Sequence, residues 1–209
     1  MNASDDVPSP IDFQDPAQAR AWEIETLRKR PGRPRFIAAM AAALSARCAP
    51  GCAVLELGSG PGHLAEQIVA TCAVGRYVAL DFSAAMYDLV RTRLPAAADK
   101  AEFVTRDFRL PGWGEGLGTF DAIGTMQAAH EVRHVRRIGD LLARGRALLR
   151  TGGLFLYCDH YAEAGDGKNP ALHLARAEQP GVLLAAGFSD VQPLLDAGGM
   201  ALYAAVSPA

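Results

Sequence analysis

One stretch constrains this chain more than any other: Val54-Leu-Glu-Leu-Gly58-Ser-Gly60-Pro-Gly62-His63. An apolar run leads into three glycines at alternate positions, and a proline suits the first turn of a helix. A buried strand is thus expected to pass through a tight loop into a helix. The theme then repeats. Short apolar runs at 53–57, 77–80, 101–105, 120–125 and 154–158 predict strands. Helical stretches at 61–72, 84–94 and 130–149 lie between them. Ser83 caps the second helix, Pro95 ends it, and Gly152-Gly153 stops the third. Alternation of this kind builds right-handed βαβ units, hence a doubly wound, mostly parallel α/β sheet covered on both faces. The tail differs. A helix at 180–186 precedes strands at 191–195 and 200–206, which Asp196-Ala-Gly-Gly199 joins as a C-terminal antiparallel hairpin.

Ahead of the loop, residues 1–15 read as a flexible arm. Residues 17–27 read as a helix burying Trp22, Ile24 and Leu27, residues 30–34 as a break, and 36–47 as an Ala-rich helix. A length of 209 residues favours one domain. The net charge of -2 gives no global field for nucleic acid or an anionic membrane, so neither is an expected partner. The basic clusters at 28–35 and 133–150 read as solvated helix faces. Cys48, Cys52, Cys72 and Cys158 form no Cys-x-x-Cys pair, and Cys72 and Cys158 read as core residues. Reduced thiols, a start without signal-peptide character and no apolar run long enough to span a bilayer together predict a cytoplasmic protein.

The loop also carries chemistry. A dinucleotide fingerprint is Gly-x-Gly-x-x-Gly, built for a pyrophosphate. Here the spacing is Gly-x-Gly-x-Gly, and Glu56 stands on the strand just before it. A carboxylate repels a pyrophosphate and attracts a ligand with an ammonium and a sulfonium. The loop therefore suits S-adenosylmethionine (SAM) better than NAD. Asp81, at the end of the next strand, is placed to accept hydrogen bonds from two ribose hydroxyls. Asp107, at the end of the third, can face the adenine amino group, with Phe108 as an apolar wall.

Taken together, the pieces resemble class I SAM-dependent methyltransferases of the small-molecule type. The matching segments are Val54–Gly62, Asp81-Phe-Ser-Ala-Ala-Met86, Phe103-Val-Thr-Arg-Asp107, Phe120-Asp-Ala-Ile123 and Leu148-Leu-Arg-Thr-Gly-Gly-Leu-Phe155. The resemblance covers about residues 35–206. It implies a Rossmann-like, seven-stranded sheet whose last strand is inserted antiparallel. It implies that Glu56, Gly58, Ser59, Gly60 and Gly62 cradle the methionine part, that Asp81, with Phe82 and Met86, holds the ribose side, and that Asp107 and Phe108 hold the adenine. Thr125, Met126 and Gln127 should border the exposed methyl group. It further implies an arm and lid helix over residues 1–35, ahead of a SAM-binding domain over 36–209. A small-molecule methyl acceptor follows, with the protein a monomer or a homodimer.

Methyl transfer from a sulfonium needs an acceptor held in line, and a base where the acceptor carries a proton. Two histidine clusters stand at the ends of strands four and five: His130-Glu-Val-Arg-His134 and Asp159-His160-Tyr161. His130 and His160 are the catalytic candidates. Glu131 reads as a partner of Arg133 or Arg137. The first cluster also matches His-Glu-x-x-His, which on a helix puts two histidines on one face for zinc. No metal is assigned, because the third ligand and the protease scaffold are missing. Tyr161 to Leu174 is a candidate substrate loop. A non-methylating SAM binder, an NAD-dependent oxidoreductase and a metallohydrolase remain as rival readings.

Overall fold

The apolar runs form the sheet they imply. The computed structural model describes residues 6–93, 101–162 and 169–208. Its strands are β1 (Cys52–Leu57), β2 (Val74–Asp81), β3 (Ala101–Thr105), β4 (Phe120–Met126), β5 (Leu149–His160), β6 (Ser189–Ala197) and β7 (Met200–Val206). They make one seven-stranded sheet in the order β3-β2-β1-β4-β5-β7-β6. β1 to β5 run parallel, and β7 is inserted antiparallel between β5 and β6. The helices are α1 (Pro16–Lys29), α2 (Arg33–Arg47), α3 (His63–Thr71), α4 (Ala84–Arg93), α5 (Ile138–Ala147) and α6 (Gln179–Ala185).

Alternate residues of each central strand feed two cores, as the period of two demands. Leu55, Leu57, Ile123 and Phe155 pack on one face with Ile138 and Leu142 of α5 and Leu183 of α6. Val54, Ala122, Leu154 and Leu156 pack on the other with Phe36, Met40 and Leu44 of α2 and Leu64 and Ile68 of α3. From β1 the chain winds outward to β3, then returns to β4 on the opposite flank of β1. A crevice opens at the carboxyl ends of β1 and β4, where the winding reverses.

Several local expectations give way. Residues 130–149 are not one helix. Ala129–Val132 and Val135–Arg137 are two short 3-10 turns, and α5 begins only at Ile138. Arg133 takes a left-handed φ of 66°, and His134 Nδ1 accepts the Arg136 N–H (3.2 Å), starting a new turn. His130 and His134 therefore share no helical face, and the zinc-protease geometry is absent. Gly152-Gly153 does not stop a helix either. It lies within β5, where pairing to β4 jumps from Phe120↔Leu149 to Ala122↔Leu154, a bulge that Gly152 (φ 76°) accommodates. In α1, Ala19, Glu23 and Thr26 face inward while Ile24 is 60% exposed; the side chain of Leu27 lies outside the description. α2 starts at Arg33, because Pro34 fits a first turn as well as it fits a break. Residues 6–15 are not a loose arm but are tied to the domain, as shown below; residues 1–5 lie outside the described residues. Of the four free cysteines, Cys52 and Cys158 are buried and Cys48 and Cys72 half-buried.

Candidate functional site

The glycine loop owes its sequence to two close approaches and one open side. Gly58 has φ 69°, and a Cβ there would overlap the Cβ of Ala128. Gly62 has φ 80°, and a Cβ would come within 2.9 Å of Val90. No L-residue with a side chain fits either place without strain. A Cβ on Gly60 would meet nothing within 4 Å, because that side faces a cavity. The Gly60 N–H donates to Asp81 Oδ2 (2.7 Å), so the loop and the end of β2 are joined directly.

The cavity holds about 240 Å³. Gly58 and Gly60 form its floor, with Asp81, Phe82 and Met86 from the β2–α4 turn and Asp107 and Phe108 after β3. Asp81 Oδ1 also accepts the Ser83 N–H (2.9 Å). Burial raises the Asp81 pKa, and these backbone donors oppose the rise. Asp107 is gripped by Arg109, whose Nε lies 2.9 Å from both carboxylate oxygens, and that guanidinium sits over the Phe82 ring at 5.6 Å. Glu56 lies behind the wall. It accepts the Tyr77 hydroxyl (2.6 Å), and complete burial pushes its carboxyl up to about 8, with the Tyr77 bond pulling the other way. Ser59, Thr125 and Met126 are buried behind the wall as well.

The N-terminal segment supplies the opposite side. Ile11, Phe13 and Trp22 line the cavity. Phe13 packs edge-on against Trp22 at 5.3 Å and against Phe82 at 6.3 Å. Arg133 fixes the segment by donating Nε to Val7 O (2.8 Å) and Nη2 to Pro8 O (2.7 Å), while its own carbonyl accepts the Val7 N–H (3.0 Å). Arg137 pairs with Asp6 (2.7 Å), and Gln14 donates to Phe82 O (2.8 Å).

At the ends of β4 and β5 the site changes character. Gln127 lines the cavity with φ 54°, a left-handed conformation that a non-glycine residue adopts at some cost. Its N–H donates to Cys158 O (2.8 Å), which ties it to β5. Its Nε2 donates to His160 Nε2 (2.8 Å), leaving the His160 ring proton on Nδ1, 3.4 Å from Gly199 O. Asp159 is buried between the histidines. It accepts His130 Nδ1–H (2.8 Å), the His130 N–H (3.1 Å) and the His160 N–H (2.7 Å). Burial opposes the charge of both partners, yet each outweighs it for the other. His130 rises to about 9 under Asp159 and Glu131, and Asp159 falls to about 2 under His130, His160 and His173. The His130 and His173 rings are 4.7 Å apart. His130, Asp159 and His173 place one donor atom each within 4.8 Å of one another, a set that a divalent transition metal could use after a small adjustment.

The cavity thus gathers eight of the expected cofactor residues: Gly58, Gly60, Asp81, Phe82, Met86, Asp107, Phe108 and Gln127. His130 and His160 stand behind Gln127 and Glu131, not on the wall. Glu131 does pair with Arg133 (2.7 Å), but the pair lines the cavity and is not confined to a solvated helix face. The wall at residues 9–13 falls within the lid that the family resemblance implied over residues 1–35; local polarity alone did not announce it, because residues more than 60 places away position it. One orphaned polar atom lies at the cavity wall, Gln127 Oε1, and two more, Ser59 Oγ and Thr125 Oγ1, are buried without a partner behind it. Buried polar groups are seldom left so, and a polar, nucleoside-like ligand suits them.

Residues 54–153 match the family described as "Methyltransferase domain". No curated protein matches the sequence. Among solved structures, an O-methyltransferase family protein from Burkholderia thailandensis superposes with a TM-score of 0.77 at 17% identity over 94% of this chain and 62% of its own. The partner of the Trm112 methyltransferase activator in a Haloferax volcanii complex gives 0.71 at 20% identity, over 95% and 98%. Human N-acetylserotonin methyltransferase in complex with SAM gives 0.70 at 15% identity, over 94% and 58%. The chain spans about three fifths of the length of the first and third of these. At these identities the likenesses show a shared fold. The glycine loop, the acids at the strand ends and the sheet order agree with that match to a methyltransferase domain over residues 54–153.

Proposed function

We propose that this chain moves the methyl group of SAM onto a small-molecule acceptor, leaving S-adenosylhomocysteine. One observation carries this: the glycine loop and the carboxylates that end β2 and follow β3, Asp81 and Asp107, meet at a single cavity whose floor is open at Gly60. Bound SAM supplies an electrophilic methyl on a sulfonium. Asp81 would accept the ribose hydroxyls. The adenine edge would meet the Asp107–Arg109 pair, not a bare carboxylate. Glu56, neutral when the site is empty, would ionise beneath the cationic end of the ligand.

The acceptor's lone pair attacks carbon as the carbon–sulfur bond breaks, and its proton needs a destination. His130 Nε2 is the proposed one. Nδ1 is committed to Asp159, while Nε2 points to Glu131 (3.4 Å), a cavity residue. His160 would act by position, holding Gln127 at the wall. Residues 6–29 would form the lid. A small acceptor is favoured by the size of the cavity and by human N-acetylserotonin methyltransferase, a similar fold named for a small substrate. A cytoplasmic setting is proposed from the four free thiols, and no described helix is long and apolar enough to cross a membrane.

The test is turnover. Purified protein with SAM and a panel of hydroxyl, amine and thiol acceptors should release S-adenosylhomocysteine, and Asp81→Ala should abolish release. Binding of SAM with no product from any acceptor would leave a sensor or scaffold, and no binding at all would remove the reading.

A further inference from the structure

Three of the five histidines, from separate parts of the chain, close around one carboxylate. His130 follows β4, His160 ends β5, and His173 lies in the segment expected to form a substrate loop. Two backbone bonds bring that segment in: Ala171 O accepts the Val135 N–H (2.8 Å), and Leu174 O accepts the Ala162 N–H (3.1 Å). The ring centres of His130 and His173 are then 4.7 Å apart, those of His160 and His173 5.8 Å, and those of His130 and His160 6.3 Å. Asp159 and His173 are both buried.

The donors are of the kind that holds a borderline divalent metal ion. His130, Asp159 and His173 offer one atom each, all within 4.8 Å of one another, and His130 Nδ1 is already 2.8 Å from Asp159 Oδ1. Ligand atoms around a tetrahedral zinc ion stand roughly 3.4 Å apart, so the His173 ring has to close by no more than about 1.5 Å. Two imidazole nitrogens and a carboxylate oxygen suit zinc and leave a position open. The outer partners of such ligands are in place as well. A histidine that ligates through one nitrogen commonly donates the other N–H to a carboxylate, and His130 Nε2 lies 3.4 Å from Glu131 Oε1. Glu131 is fixed in turn by Arg133 (2.7 Å) and lines the cavity. The backbone N–H groups of His130 (3.1 Å) and His160 (2.7 Å) orient Asp159. His134, the second histidine of the His-Glu-x-x-His pattern, stays out, with its Nδ1 on the Arg136 N–H.

We propose that His130, Asp159 and His173 bind a divalent transition-metal ion of the zinc class beside the cavity, with His173, not His134, as the partner of His130. The ion takes the place of the proton on His130 Nδ1 that Asp159 accepts, and that proton leaves to solvent. The open position takes water, or an oxygen or nitrogen of the acceptor. Binding of the ion does not rest on the SAM reading. It does limit the base, because a ligated His130 keeps its Nε2 proton on Glu131. His130 takes up an acceptor's proton only in the metal-free chain.

The full chain, stripped with a chelator, is titrated with Co2+ and then with Zn2+. Equimolar Co2+ should raise a visible absorption band that Zn2+ abolishes. X-ray absorption of the Zn2+ complex should show two imidazoles with Zn–N of about 2.0–2.1 Å. Glu131→Gln should weaken Zn2+ about tenfold or more, His173→Leu should weaken it further, and His134→Leu should leave it unchanged. Circular dichroism checks the fold of each variant, and the X-ray absorption of wild type decides the matter should His173→Leu not fold. A wild-type chain with no Co2+ band, a zinc spectrum with fewer than two imidazoles, or wild-type Zn2+ affinity in His173→Leu would overturn the site. Loss of the ion in His134→Leu with retention in His173→Leu overturns it too. Calorimetry of S-adenosylhomocysteine on the stripped chain judges the SAM reading separately, since that titration contains no metal.

Discussion

The two walls of the cavity are held by opposite means. On the β1–β3 side, backbone sets the geometry: three glycines at positive φ, and a carboxylate that accepts loop N–H groups. On the β4–β5 side, side chains do so: Gln127 on His160, His130 on Asp159, and Arg133 on a segment more than 120 residues earlier. A wall of backbone tolerates loss of one side chain and fails in binding. A wall of buried charges loses the fold when one partner goes.

The largest expected effect follows from that contrast. Asp159→Asn leaves His130 without its counter-ion and should lower stability by about 3 kcal/mol or more, read by urea denaturation. The His130 ring should titrate well below 9, read by NMR. On the other wall, Asp81→Asn should weaken S-adenosylhomocysteine by about 2 kcal/mol, roughly thirtyfold, with the unfolding midpoint barely moved. Equal stability losses in the two variants would break the comparison.

Protons sharpen it. His130 must be neutral to accept a proton, and Asp159 keeps it charged up to about 9. The rate of transfer to a proton-bearing acceptor should therefore climb about tenfold per pH unit toward that value, and His130→Gln should flatten the profile. Stability moves the opposite way. Glu56 and His130 both have folded pKa values, about 8 and 9, above their unfolded ones. Their contributions are full below the unfolded values and vanish as pH rises through the folded ones. Apo stability should fall by several kcal/mol across roughly pH 6.5–9, while below that window His63, held down to about 4, acts in the opposite sense. Glu56→Gln should remove the lower part of that slope and His130→Gln the upper. The smallest effect belongs to the third side: Phe13→Ala loses edge-on contacts with Trp22 and Phe82 and should cost about 1 kcal/mol of nucleoside affinity.

The same contrast explains what could be read from the sequence. The parallel βαβ alternation, the strand–glycine loop–helix passage and the acids at 81 and 107 follow from periodicity and short-range spacing, the inserted antiparallel last strand from the family resemblance, and the fold obeys them. The helix expected over 130–149 failed because one left-handed residue, Arg133, is fixed by distant carbonyls and not by local propensity. Residues 9–13 carry no pattern at all; Ser83 holds the Phe13 carbonyl, while Phe82 and Arg133 hold the flanking Gln14 and Pro8. Ile24 stayed outside because α1 turns Ala19, Glu23 and Thr26 inward, and Glu23 finds Arg93 on α4.

Arg133 has a consequence for handling the protein. One guanidinium neutralises Glu131 and also fastens the carbonyls of Val7 and Pro8. Whatever draws Glu131 away, whether a cation beside it or a proton, loosens the amino terminus in the same stroke. Susceptibility of residues 6–12 to a protease becomes a gauge of what the cavity contains, legible on a gel before any substrate has been identified.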